Sequence, residues 1–219
     1  MKIKFLGAGS AFTTKGWQTN LIIEENGKHL LLDAGTDIRW SLKEQGLSYK
    51  DIDAIYISHL HGDHVGGAEC LGFCSYFDPN LPKPILYAHQ NIVPRILPPG
   101  MESLEGLIAN IYTFFDVKAL GDNASFLWQG ILFEVVQSVH IMNGHAIVPS
   151  FGLIIHSPTS PKTIYWTSDS QYAPSQLIKF YEQADLIIQD CETYPFKSRV
   201  HAHYDDLKLL PPEIKAKMI

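Results

Sequence analysis

Three histidines and an aspartate fall within six consecutive positions of the segment Ser58-His59-Leu60-His61-Gly62-Asp63-His64. Neutral imidazoles and a carboxylate are the donors that suit a borderline divalent ion such as zinc. The segment follows the apolar run Ala54–Ser58 and precedes a helical pattern, so it reads as a turn at the C-terminal end of a strand. Alternate side chains of an extended backbone point the same way, which sends His59 and His61 together. Gly62 is expected to turn the backbone so that Asp63 and His64 face a second point nearby. The bland alternative, four solvated polar residues in a loop, leaves this concentration of ligands unexplained.

Elements able to position such a cluster recur along the chain. Strand-like runs occur at Ile3–Leu6, Leu21–Glu24, Leu30–Asp33, Ala54–Ser58, Ile85–Ala88, Leu132–Gln137, Gly152–His156, Thr163–Thr167 and Leu186–Asp190. Helical patterns read at Ile38–Gln45, Val65–Phe77, Ser175–Gln183 and Asp205–Lys217. The turn signal Glu25-Asn26-Gly27 makes the early strands hairpins, whereas later strands alternate with helices. This order predicts an α/β chain of the α+β type, with mixed sheets and helices packed outside them. The proline-rich segment Asn80–Glu102 reads as a loop excursion, not a linker.

With 219 residues, 46% of them hydrophobic and 18% charged, the chain suits one large globular domain spanning 1–219 and excludes disorder or coiled coil. No apolar run approaches the roughly 18 residues that a spanning helix needs. The start, Met1-Lys2-Ile3-Lys4-Phe5, alternates charged and apolar residues instead of building a signal-peptide core, so a cytoplasmic location is expected. Seventeen basic against 23 acidic residues leave a formal charge of −6, which disfavours extended nucleic-acid binding. Cys70, Cys74 and Cys191 contain no CxxC and read as thiols of a reducing compartment, the first two buried.

The run HLHGDH after a strand resembles the defining motif of the metallo-β-lactamase fold superfamily. Lys2–Gly9 and the segment LLLDAG ending in Asp33-Ala34-Gly35 resemble that family's opening strands. The resemblance implies a four-layer αββα sandwich with metal at the strand ends. It also implies further ligands at strand ends in the second half, which Val135–His140 and Ile164–Asp169 supply. One divalent ion would then be held by His59, His61, His140 and Asp169, and the other by Asp63, His64 and the shared Asp169. Judged alone, His140 reads as a core or loop histidine and Asp169 as a helix N-cap; the motif reverses both readings.

Two further positions look like the ribonuclease Z and cyclic-nucleotide phosphodiesterase branch: Glu192 after the strand Leu186–Gln189, and His203 before the last helical pattern. By that match His203 donates a proton to the leaving oxygen while Glu192 holds its imidazole. His201 competes for the same role, and spacing alone does not separate the two. His29, His89, His145 and His156 have no partner pattern and read as structural.

The family pattern also fails in places. Dinuclear members complete the second metal with a histidine on a strand after the last helix, and 205–219 contains none. Either the chain is shortened or the second ion keeps three protein ligands plus solvent, with partial occupancy expected. Ribonuclease Z enzymes carry a long tRNA-binding arm between the second-half histidine and the bridging aspartate. Here that interval is 29 residues, much of it strand-like.

The resulting expectation is a phosphodiesterase with two divalent ions, Zn²⁺ or Mn²⁺, in which metal-activated water attacks a small cyclic nucleotide and Asp63 aligns the attack. The alternatives are a ribonuclease Z-type tRNA 3′-end endonuclease, a thioesterase or lactonase, and a catalytically weak nucleotide-binding protein. Tyr112, Phe114 and Phe115 could stack on a base, with a homodimer interface as one setting; core packing is the competing explanation.

Overall fold

The computed structural model describes residues 1–96, 110–142 and 144–219. They form two compact units, Met1–Gly121 and Asp122–Ile219.

The first unit is built on a six-stranded mixed sheet in the order β1 (Lys2–Gly7), β2 (Asn20–Glu25), β3 (Lys28–Leu32), β4 (Ala54–Ile57), β5 (Ile85–His89) and β6 (Asp116–Leu120). β1, β2 and β3 are antiparallel, and β3 to β6 run parallel. Glu25 pairs with Lys28, so Asn26 and Gly27, both at positive φ, form the two-residue turn expected of an Asn-Gly hairpin. Leu21, Ile23, Leu30, Leu31, Leu32, Ile55 and Ile57 are all buried. Each such side chain contributes about 1.5–3 kcal/mol relative to an exposed one. The helices are α1 (Ile38–Glu44), α2 (Gly62–Val65), α3 (Ala68–Phe77) and α4 (Ile111–Phe114). The helical pattern read over Val65–Phe77 is thus interrupted at Gly66-Gly67, residues of poor helix propensity. β6 escaped the sequence reading because Asp116-Val117-Lys118-Ala119-Leu120 lies at a sheet edge and is mostly solvated.

The proline-rich excursion contains β5, and its part beyond residue 96 lies outside the described residues. Phe114 and Phe115 are core, with Phe114 packed edge-on to Phe73; Tyr112 alone of that trio is exposed. Cys70 and Cys74 are free and only partly buried, not fully as expected, and Cys191 is exposed.

The second unit carries a five-stranded mixed sheet in the order β11 (Leu186–Ile188), β10 (Thr163–Trp166), β9 (Ile147–His156), β8 (Ile131–Met142) and β7 (Ser125–Trp128). Only β10 and β11 are parallel. Helix α5 (Pro174–Gln183) presents Leu177 and Tyr181 to a core that includes Val136, Ile154, Tyr165 and Ile187. The expected helix Asp205–Lys217 is instead two short ones, α6 (Tyr204–Leu207) and α7 (Pro212–Lys215). Pro211 and Pro212 force the break, since neither has an N–H to continue the first helix. The chain does not end helically: Ile219 N–H donates to Ile187 and receives Gln189 N–H on its carbonyl, so the last residues run beside β11. Among the described residues, no helix is long and apolar enough to cross a membrane.

Candidate functional site

Each unit gathers titratable side chains where its strands end. In the first, β4 stops at Ile57 and the chain stays extended through His61, whose φ of −73° and ψ of 148° make it the N-cap residue of α2. This segment is pressed onto the end of β3. Ala34 N–H donates to His64 carbonyl and Gly67 N–H to Ala34 carbonyl, at 2.7 and 2.8 Å. A Cβ on Gly67 would come within 2.3 Å of the Gly35 carbonyl oxygen, so close approach explains glycine there. Gly62 does not play the expected part: it opens α2 without a positive φ, and a Cβ there would meet only Thr36 at 3.9 Å.

Asp33 organises the histidines. It is fully buried and sits at φ 62°, a strained conformation of the kind that clusters at functional sites. One carboxylate oxygen accepts Ser58 N–H at 2.8 Å; the other accepts Ser58 Oγ–H at 2.7 Å and faces His64 Nδ1 at 2.7 Å. Burial pushes its carboxyl above the usual range, against the pull of His64 and Ser58. With its hydrogen given to Asp33, Ser58 Oγ is left to accept from His59 Nδ1 at 3.0 Å. These bonds fix the tautomers. His64 Nε2 is turned to Asp63, 3.3 Å from Oδ2, and His59 Nε2 faces His61 Nδ1 at 3.0 Å.

The second unit places its own set after β8, β10 and β11. His140 lies at the β-bulge between Val139 and Ile141, which re-aims its side chain inward to 1% exposure. Its Nδ1 donates to Val200 carbonyl at 2.8 Å, leaving Nε2 3.6 Å from Asp169 Oδ2. Asp169 follows Ser168, which has a φ of 51°, and is not an N-cap, because α5 begins at Pro174 with Ala173 as its cap. His201 Nδ1 lies 2.8 Å from Asp190 Oδ2 and 3.8 Å from Asp169 Oδ2. Asp190 Oδ2 also accepts Ser170 N–H at 2.9 Å. Burial raises Asp190 to about 6 despite its bond to His201. Burial alone would lower His201, but Asp190, Asp169 and Glu192 together lift it to about 9.

His203 and Glu192 pair through their backbones, while their side chains engage elsewhere. His203 Nδ1 accepts Asp205 N–H at 3.1 Å as the N-cap of α6, and its Nε2 donates to Tyr194 carbonyl at 2.9 Å. Glu192 Oε1 accepts Ser198 N–H at 2.8 Å. His201, the competitor, is the histidine that joins the carboxylates. Asp190 was missed by the sequence reading, although a signal existed. Asp33, Asp169 and Asp190 each follow a strand, in LLLDAG, YWTSDS and LIIQDC.

The donor set fits divalent metal. In His59, His64 and His140 one ring nitrogen is tied to Ser58, Asp33 and Val200, so the other is held as a lone pair, the arrangement that orients metal-binding imidazoles. His59 Nε2 and His61 Nδ1, 3.0 Å apart, and the carboxylates beside His64 and His140 supply the nitrogen and oxygen donors such an ion takes.

The family model described as "Anti-Pycsar protein Apyc1" matches residues 1–219. The chain belongs to that family. An Apyc1 relative from Paenibacillus sp. (strain J14) is 30% identical, with 100% of this chain and 87% of the relative covered. Among solved structures, the metallo-β-lactamase fold protein YhfI from Bacillus subtilis superposes with a TM-score of 0.71 at 20% identity, covering 92% of this chain and 76% of that one. Human tRNase Z, short form, does so at 0.69 and 22% identity, covering 94% and 85%. The α/β fold expected for this chain is therefore the fold found.

Proposed function

We propose that the protein is a phosphodiesterase of small cyclic nucleotides. The observation that carries this reading is the His201–Asp190 pair beside Asp169, an acid placed next to a metal-binding carboxylate.

His59, His61, His140 and Asp169 would hold one ion; Asp63, His64 and Asp169 would hold a second with fewer protein ligands. Zinc is the metal of choice for this nitrogen-rich set, with manganese as the alternative. Such ions, when bound, acidify water and withdraw charge from phosphoryl oxygens.

The remaining steps belong to side chains of this chain. Asp63 accepts a hydrogen bond from the attacking water and sets its line to phosphorus. His201, held through Nδ1 by Asp190, carries a proton on Nε2 and delivers it to the ribose oxygen as the P–O bond breaks. Asp190 keeps the imidazole in that tautomer and stabilises its charged form. His203 is reassigned to cap α6, since both of its ring nitrogens are engaged by backbone groups.

The 28 residues between His140 and Asp169 are largely taken up by the end of β8, β9 and β10, which leaves no span for a tRNA-binding arm. The acidic charge balance favours a small substrate in the same way.

Product analysis tests the proposal. Purified protein with Zn²⁺ or Mn²⁺ is incubated with 3′,5′-cyclic mononucleotides, bis(p-nitrophenyl) phosphate and a precursor tRNA. The first two should be hydrolysed and the tRNA left intact. Cleavage of the tRNA alone, or of none of the three, would overturn the assignment.

A further inference from the structure

The stretch after β10 is fastened at three successive residues of the second unit. Ser150 Oγ donates to the Asp169 carbonyl, Ser170 N–H to Asp190 Oδ2 at 2.9 Å, and Gln171 N–H to the Val139 carbonyl at 2.8 Å. Asp169 and Asp190 belong to the site described above, whereas Gln171 takes no part in the steps assigned to it. Its side chain is nevertheless committed at both hydrogens. Gln171 Nε2 donates to the His140 carbonyl at 3.0 Å and to the Arg199 carbonyl.

The two carbonyls it joins belong to irregular backbone. His140 sits at the bulge of β8, where the pairing passes from Val139 with Pro149 to Ile141 with Val148 and skips it. Arg199 has a φ of 66°, a left-handed conformation that persists in such a residue only where its surroundings hold it. The next carbonyl, of Val200, accepts from His140 Nδ1 at 2.8 Å. Two consecutive carbonyls are therefore tied to the His140 position, one through Gln171 and one directly, and the residue that follows them is His201. A primary amide carries two donors on one planar nitrogen, which suits this bridge; a carboxylate offers acceptors only, and a thioether offers no donor.

We propose that Gln171 is a positioning residue, whose amide fixes the Arg199–His201 segment to the end of β8 and so sets the His201 imidazole for proton delivery. This rests on the phosphodiesterase reading in which His201 is the acid, and it assigns a role to a residue outside the chemical steps.

The test uses zinc-loaded Gln171→Met, which keeps an unbranched stem, and Gln171→Glu, which keeps the shape and removes the donors. Each should lower kcat on a cyclic mononucleotide by about ten- to hundredfold, the scale of a small misplacement of a reacting group, with KM little changed. The loss on bis(p-nitrophenyl) phosphate, whose leaving group needs no proton, should be much smaller. A residue that acts only through His201 has nothing to act on once His201 is gone, so Gln171→Met/His201→Ala should be no slower than His201→Ala. Multiplying losses in the double variant would overturn the proposal. So would equal losses on both substrates with weakened zinc binding, which would place the amide in the service of His140 instead.

Imidazole NMR of nitrogen-labelled, zinc-loaded protein supplies a readout independent of turnover, with the His201 ring signals identified by their loss in His201→Ala. Gln171→Met should shift or split them and leave those of His29 and His156 in place. Unmoved His201 signals would refute the positioning role. Wild type without turnover on either substrate would instead sink the phosphodiesterase reading, and the ring signals would still decide whether Gln171 holds His201.

Discussion

His201 Nδ1 bonds to Asp190 Oδ2 at 2.8 Å, and the same carboxylate oxygen receives the backbone N–H of Ser170, the residue after Asp169. One carboxylate thus sets both the imidazole and the segment carrying Asp169. If His201 is the acid, His201→Ala should lower kcat on a cyclic nucleotide by about a hundred- to ten-thousandfold. The loss should be much smaller on bis(p-nitrophenyl) phosphate, whose leaving group needs no proton. Asp190→Asn should show the same leaving-group dependence with a smaller loss, about tenfold or more. Steady-state kinetics on the two substrates check this; equal losses would assign both residues to structure.

His203 gives the contrasting case. His203→Ala removes the N-cap of α6 and should cost about 0.5–2 kcal/mol of stability, read by thermal or denaturant unfolding. The ratio of its kcat on the two substrates should remain that of wild type. A leaving-group-dependent loss would return the acid role to His203.

Asp33 should act on the metal without touching it. Asp33→Asn keeps a residue type that tolerates φ 62° but removes the charge that orients His64 and Ser58. Metal affinity should fall about 10–100-fold, measured by competition with a chromogenic chelator. Asp33→Ala should in addition lower the melting temperature, because each buried donor left without a partner costs about 1–3 kcal/mol.

These residues differ in how plainly the sequence announced them. HLHGDH is contiguous, and its extended spacing alone brings His59 and His61 together. His140 is different: its orientation depends on a bulge in the pairing of β8 with β9, set by residues on another strand. It could be found only through the family resemblance. Asp190 and His201 are joined across a loop without periodicity, so no spacing rule links them. The two short helices were legible in principle, since Pro211-Pro212 marks the break. Edge strand β6 was not, because its five residues include two charges and are mostly solvated.

Chelation should reveal how far the metal supports the fold. Protein stripped of metal should lose turnover and melt at a lower temperature. Both should return on adding zinc, with about 2.7 kcal/mol of stabilisation at a hundredfold excess over Kd. Identical melting with and without zinc would show that the histidines do not bind metal in the folded state.

The claim on which the account stands is that the clustered histidines and aspartates bind metal. Anomalous diffraction at the zinc absorption edge from zinc-loaded crystals tests it directly. The account predicts a peak bonded to His59, His61, His140 and Asp169. The absence of a peak at these residues would contradict it.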